Sequence, residues 1–245
     1  MRFKLIGCEV LYRELCDAVA RAPHVIDVEF LPKGLHDRGG AGMRTELQRR
    51  IDAVDGAAYS AVLLGYALCG NGLDGLAARS LPLVAPRAHD CIALLLGSRR
   101  RYQEYFDAHP GVYYRSTGWL ERGSTLEQLA QRRTGVGYEL EELVRQYGEE
   151  NGRYLFDELN RYQQAYTQLT YIETGLEPDG RFEEQARQEA RERGWSFAKL
   201  AGSLRLFRAL VAGDWNPEEF LVVEPGWRIV ACYDDAILRA ERDGS

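Results

Sequence analysis

The chain has 245 residues, is 45% hydrophobic, 28% charged and 11% aromatic, and carries a formal net charge of -6. That composition belongs to a folded globular protein and excludes a disordered or fibrous one. The acidic excess argues against a general nucleic-acid binder, which needs a basic face to neutralise phosphates.

Arg2 and Lys4 are followed by Cys8, Glu9 and Arg13 with no uninterrupted apolar stretch between, so no export signal is expected. No run of about eighteen apolar residues could span a bilayer. The expected compartment is therefore cytoplasmic and reducing, where five cysteines read as thiols or ligands and not as a disulfide framework.

Taken in chain order, Phe3 to Ile6 predicts a strand and Glu9 to Arg21 a helix. Val25 to Leu31 predicts a second strand, followed by a polar loop with Gly34, His36, Asp37, Gly39 and Gly40, and a helix from about Met43 to Val54. Ala61 to Leu64 is apolar throughout, as suits a strand covered on both faces. The loop Tyr66 to Gly72 leads into a short helix, and Leu81 to Ala85 predicts a fourth strand ended by Pro86. A helix from Asp90 to Ala108 follows, turning its basic run Ser98 to Arg101 to solvent, and Val112 to Tyr114 predicts a fifth strand.

From about Gly123 the pattern changes to charged, Tyr-rich helices, Glu139 to Tyr147 and Tyr154 to Tyr166. Strand and helix patterns then resume: strands at Thr170 to Thr174, Trp195 to Leu200, Phe220 to Val223 and Ile229 to Ala231, with helices at Phe182 to Arg193 and Ser203 to Ala212. The expected fold is α/β, two Rossmann-like lobes with parallel sheets flanked by helices, plus a helical insert. The expected divisions are 1–122 for the N-terminal lobe, 123–168 for the insert and 169–245 for a smaller C-terminal lobe.

In parallel sheets, ligands gather outside the carboxyl ends of the strands. Cys8 follows the first predicted strand, Cys69 the third and Cys91 the fourth, with His89 two residues before Cys91. Each cysteine opens or precedes a predicted helix, where the helix dipole is expected to lower a thiol pKa below its usual value of roughly 8.5. The set Cys8, Cys69, Cys91 and His89 therefore predicts a metal centre, zinc or iron–sulfur, since soft thiolates suit both. Gly70, Asn71 and Gly72 allow close approach to a bound cofactor, and Trp119, within Ser116-Thr117-Gly118-Trp119, offers an aromatic wall.

Buried packing is the competing reading for any one of these cysteines, because free cysteine behaves as a small hydrophobe. Cys16 on the first helix is assigned to the core, Cys232 is left open between ligand and core, and His36-Asp37 after the second strand falls at the same rim, with shaping of the Gly-rich loop as the favoured reading. Glu173, Thr174, Glu224, Gly226, Asp234 and Asp235 sit near strand ends in the second half. Neither a phosphate-binding Gly-Lys-Ser/Thr loop nor a Gly-x-Gly-x-x-Gly after the first strand occurs, so ATP or a dinucleotide is not indicated.

Three segments, Ile6 to Leu11, Gly65 to Gly72 and Pro86 to Cys91 continuing to Ser98, resemble an uncharacterised domain family of bacteria and archaea. The resemblance extends to Gly118-Trp119 and Val222 to Gly226. It implies a cytoplasmic protein often associated with corrinoid-dependent methyl transfer, working with a small-molecule substrate or a corrinoid protein. Its signature segments fall on Cys8, Cys69, His89 and Cys91. The expected function is a metal-dependent transferase or lyase, or a metal-centre accessory protein, in one-carbon metabolism. The alternatives are a non-catalytic corrinoid- or partner-binding protein with structural cysteines, and thiol catalysis without metal.

Overall fold

In a computed structural model, residues 1–122, 140–160 and 165–244 are described. Their elements run β1 (Arg2–Cys8), a 3-10 turn (Glu9–Leu11), α1 (Tyr12–Ala20), β2 (Val25–Leu31), a second 3-10 turn (Lys33–Arg38), α2 (Gly39–Asp52), β3 (Ala61–Gly65) and β4 (Leu83–Pro86). Then come α3 (Cys91–Leu96), α4 (Arg99–Ala108), β5 (Val112–Ser116), α5 (Thr117–Arg122), α6 (Leu140–Tyr147) and α7 (Glu149–Asn160). The chain continues through β6 (Gln168–Glu173), α8 (Arg181–Arg193), β7 (Ser196–Ala201), α9 (Arg205–Ala212), β8 (Phe220–Val223), β9 (Trp227–Ala231) and β10 (Leu238–Arg242). No helix among the described residues is long and apolar enough to cross a membrane.

The protein is α/β, with parallel sheets flanked by helices, and its chain divides into two units. The first comprises Met1–Tyr105, Thr174–Leu176 and Ala201–Ser245. Its sheet has the order β2-β1-β3-β4-β8, parallel from β2 to β4 and closed by β8 running antiparallel to β4. All five residues of β3 and all four of β4 are buried, as a continuously apolar central strand requires.

Gly7 and Gly65 face each other across β1 and β3. A Cβ on Gly7 would lie 2.6 Å from Leu15 Cδ1, and one on Gly65 2.8 Å from the same atom. The pair of glycines therefore forms the seat into which α1 presses the fully buried Leu15. That close approach fixes the residues that follow each glycine, Cys8 and Tyr66, at the carboxyl rim.

The second unit comprises Phe106–Glu173 and Glu177–Leu200. Its sheet is β5-β6-β7, with β5 and β6 parallel and Val112 opposite Gln168. Leu169, Tyr171, Phe182, Ala186 and Ala190 form its core.

Several elements differ from the sequence reading. The single helix expected from Asp90 to Ala108 is broken after Leu96, because Gly97 adopts a left-handed φ of 68° and caps α3. No helix follows Gly72, where the chain makes successive turns. Val112–Ser116 pairs with β6 instead of joining the first sheet, and Phe220–Val223 pairs with β4 instead of joining a C-terminal lobe. Along the chain, the first unit accordingly gives way to the second after Tyr105 and resumes at Ala201, apart from Thr174–Leu176, where the sequence reading divides the chain at 122 and 168. Apolar periodicity announces a strand and is silent about its partner. Residues 123–139 and 161–164 of the expected insert lie outside the described residues.

Candidate functional site

Cys8 ends β1, is 4% exposed, and places its Sγ 3.5 Å from His36 Nε2. The second 3-10 turn carries His36, and Glu9 Oε1 anchors the start of that turn by accepting a 2.6 Å bond from the Lys33 N–H. Burial pushes the Cys8 thiol up to about 11; the N–H of Val10 opposes this, Glu9 adds to it, and Lys33 opposes it.

Cys69 begins a left-handed turn. Cys69, Gly70 and Asn71 have φ of 43°, 65° and 66°, and Gly72 N–H donates to Leu68 C=O at 2.8 Å. Left-handed backbone costs an ordinary residue roughly 1–2 kcal/mol, and here two of three consecutive residues are not glycine. The turn leans on the start of α2: a Cβ on Gly40 would meet Gly70 O at 2.6 Å, and one on Gly72 would meet Met43 Sδ at 2.4 Å. The glycines expected to permit close approach are thus occupied in packing the turn against α2.

The loops after β3 and β4 run side by side, with Leu68 N–H donating to Ala88 C=O and Cys69 N–H to His89 C=O, both at 2.9 Å. Asp90 caps α3, accepting from Ile92 N–H at 3.0 Å and Ala93 N–H at 3.2 Å, and its other oxygen accepts from the Tyr102 hydroxyl at 3.0 Å. Burial holds the Asp90 carboxyl above its ordinary pKa against those donors. Cys91 is the first residue of α3 and is half-buried. Burial drives the Cys69 thiol far above its usual range, helped by Asp90 and Cys8 and opposed by the backbone of Ala67 and Cys91.

The expectation of thiols activated by helix termini is therefore reversed at Cys8 and Cys69. Cys8 precedes only a turn of 3-10 helix and Cys69 precedes no helix, and desolvation outweighs the few N–H groups near each thiol.

Tyr66, directly after β3, completes this rim. It is 1% exposed, its ring centroid lies 6.2 Å from that of His36, and its hydroxyl has no hydrogen-bond partner among the described residues. Burial raises its pKa well above the ordinary phenol value, with Cys8, Cys69 and Glu9 adding to the shift. Sequence reasoning missed Tyr66, and it placed His36 at this rim while favouring a role in shaping its loop. The available signal was position: Tyr66 directly follows β3, and His36 lies in the turn after β2, strands that run parallel to β1 and end at the same sheet edge.

His89 contributes its carbonyl to Cys69, while its side chain lines a cavity of about 370 Å³ with Asn71, Cys232, Asp234 and Asp235. Buried Ile237, a β-branched residue at φ 61°, shapes the loop behind that cavity, and Arg87 holds the loop by donating to the carbonyls of Ala236 and Leu238. Cys232 is buried, its thiol donating to Val230 C=O at 3.8 Å. Cys16 is half-buried on α1.

The remaining candidates are placed in local structure. Trp119 lies in the second unit, its backbone N–H 3.4 Å from Ser116 Oγ. Glu173 pairs with Lys199 at 2.7 Å, and the Thr174 hydroxyl donates to Glu14 at 3.0 Å. Among the described residues, no three His, Cys, Asp or Glu side chains converge closely enough to hold a metal ion as they stand.

No curated protein matches the chain. A solved structure, the thioesterase domain from the curacin biosynthetic pathway, is 10% identical across 86% of this chain and 88% of its own, with a TM-score of 0.21, too low to bear on fold or activity. A model of the family described as "Protein of unknown function (DUF1638)" matches residues 30–211, which include His36, Tyr66, Cys69, His89 and Cys91 but not Cys8, and the chain belongs to that family.

Proposed function

We propose that the rim of Cys8, His36 and Cys69, with Cys91 adjoining, is a thiolate metal centre for zinc or an iron–sulfur cluster. The observation that carries this reading is the Cys8 Sγ to His36 Nε2 approach of 3.5 Å, with the half-buried Cys69 in the loop after the neighbouring strand β3. Desolvation keeps both thiols protonated, and a soft cation supplies the charge that reverses this. A thiol that held such a metal would do so as a thiolate, so loading would release its proton to solvent. His36 takes the imidazole role expected of His89, whose side chain turns to the cavity. At about 370 Å³ that cavity suits a small molecule.

In this reading the protein is a metal-dependent transferase or lyase, or an accessory protein for such a centre, in one-carbon or corrinoid methyl-transfer metabolism, in a reducing compartment. Any corrinoid would come with its own carrier protein, since the cavity is too small to engulf one.

The test is elemental analysis and an absorption spectrum of protein purified without oxygen. Stoichiometric zinc in a colourless protein, or iron with charge-transfer bands, is expected, with loss of most metal in Cys8→Ser and Cys69→Ser. Protein that carries no metal and takes up none when offered zinc or iron would overturn the reading.

A further inference from the structure

The cavity lined by His89, about 370 Å³, lies wholly within the first unit and is walled by two loops. One is the turn after β3 that carries Leu68 and Asn71; the other follows β9, from Ala231 to Ile237. They are tied together where Asp74 Oδ1 accepts from the Ala231 N–H at 2.9 Å. The second loop is closed by Cys232 N–H donating to Ile237 C=O at 2.8 Å, and by Asp234 Oδ1 accepting from Ala236 N–H at 2.9 Å. Cys69, Asn71 and Ile237, the three non-glycine residues with left-handed φ among those described, all fall in these two loops. Strained backbone of this kind gathers where a ligand is clamped.

Two carboxylates, Asp234 and Asp235, line the cavity, and among the described residues no lysine or arginine does. Arg87 is committed elsewhere, to the carbonyls of Pro217, Ala236 and Leu238. The side chains of Asn71, His89 and Asp235 have no hydrogen-bond or ion-pair partner among the described residues. Each can accept a hydrogen bond, through an amide oxygen, a ring nitrogen of the neutral imidazole and a carboxylate. Leu68 and Ala231 add apolar wall, and Tyr233 brings a fully exposed ring. These polar groups do not converge on one point as the ligands of a bare ion do; they surround a volume.

We propose that this cavity binds a small organic cation, a primary ammonium or guanidinium group on a short apolar stem. The N–H donors of such a group meet Asp235 and the second oxygen of Asp234 in charge-assisted hydrogen bonds, while Asn71 and His89 take the remaining donors. The stem lies against Leu68 and Ala231, and the Tyr233 ring offers its face to the cation. This rests on the proposed function only in taking this cavity as the small-molecule site, and it uses no metal.

The test is titration of the protein with n-butylammonium, n-butanol and butyrate, read by ligand-observed NMR before and after treatment with a chelator. n-Butylammonium is expected to bind with a Kd on the order of 1 mM, and the neutral and anionic probes about tenfold more weakly, in both preparations. Asp235→Asn, at an exposed position, is expected to melt as wild type and to bind n-butylammonium about tenfold more weakly. Equal affinity for the three probes overturns the proposal, as does an Asp235→Asn variant that binds like wild type. The comparison of probes on wild type decides the matter even if the variant folds poorly. Discrimination that vanishes with the chelator also overturns it, since the amine would then sit on a metal. Protein that binds n-butylammonium selectively but takes up neither zinc nor iron sinks the metal reading alone; metal-loaded protein that treats the three probes alike sinks this inference alone.

Discussion

The two units each bury a polar group at a strand end, and they treat it in opposite ways. In the second unit, Arg115 at 2% exposure donates two 2.8 Å bonds to the two carboxylate oxygens of Glu189, and its guanidinium lies 4.7 Å over the Tyr113 ring. Burial alone would lower the Arg115 pKa, but the hydrogen bonds it donates to Glu189 prevail and hold it above its ordinary value. In the first unit, Tyr66 has a hydroxyl with no hydrogen-bond partner among the described residues, and burial raises the pKa of two thiols, Cys8 and Cys69. The bidentate pair is closed within the chain, as structural polar burial must be. The rim is left open, and it also contains the left-handed turn at Cys69 to Asn71. Polar burial that does not close on itself is the mark that separates a site from a staple.

The contrast can be broken first at Glu189. Glu189→Ala strands a buried guanidinium and should cost about 3–5 kcal/mol in urea unfolding. A cost under about 1 kcal/mol would mean that Arg115 finds water, and the closed side of the comparison would fail.

A pH test follows on the same unit. Burial pushes the Tyr113 phenol up to about 12 from an ordinary 10, with Arg115 opposing. The folded state thus holds this proton more tightly than the unfolded state. Its contribution, on the order of 2 kcal/mol, is fully present below pH 10 and is lost as pH rises through about 12. Unfolding curves between pH 9 and 12 should steepen accordingly and flatten in Tyr113→Phe; an unchanged slope would place the phenol in water.

On the open side, Gly70 has φ 65° with nothing within 4 Å of a Cβ added there, so Gly70→Ala tests conformation without a clash. The expected cost is about 1–2 kcal/mol by urea unfolding, together with weaker metal uptake. A neutral result would show that the turn is pliable and the rim not pre-shaped. The smallest effect is expected at the α3 cap. Asp90→Ala should cost about 1 kcal/mol and Asp90→Asn much less, because the amide oxygen still accepts from Ile92 and Ala93. Equal losses would put the charge, and not the cap, in control.

Much of the scaffold was legible in the chain. The uninterrupted apolar run at Ala61 to Leu64 marks a doubly covered strand, and it is fully buried. Cys8, Cys69 and Cys91 fall after successive strands that pair in parallel or run into neighbouring loops. The partners of β5 and β8 were hidden, because pairing depends on distant edges, and Leu238–Arg242 was missed because Arg239, Glu241 and Arg242 mask its alternation. The cysteine spacing placed Cys8, Cys69 and Cys91 after β1, β3 and β4, but the direction of the thiol pKa shifts at Cys8 and Cys69 was misjudged, because desolvation is not visible in sequence. His36 and Tyr66 join the rim through sheet order, which brings β2 and β3 to either side of β1.

The closing of the first sheet by β8 bears on how the protein is made. β4 is complete at Pro86, while its outer neighbour begins at Phe220, more than a hundred residues later. At ribosomal rates that interval is on the order of ten seconds, during which a nascent chain carries an apolar strand edge with no partner. The whole second unit is translated within that window. Chaperone demand should therefore concentrate on chains stalled between these two points, and truncation after the second unit should yield aggregates where the full chain yields native protein.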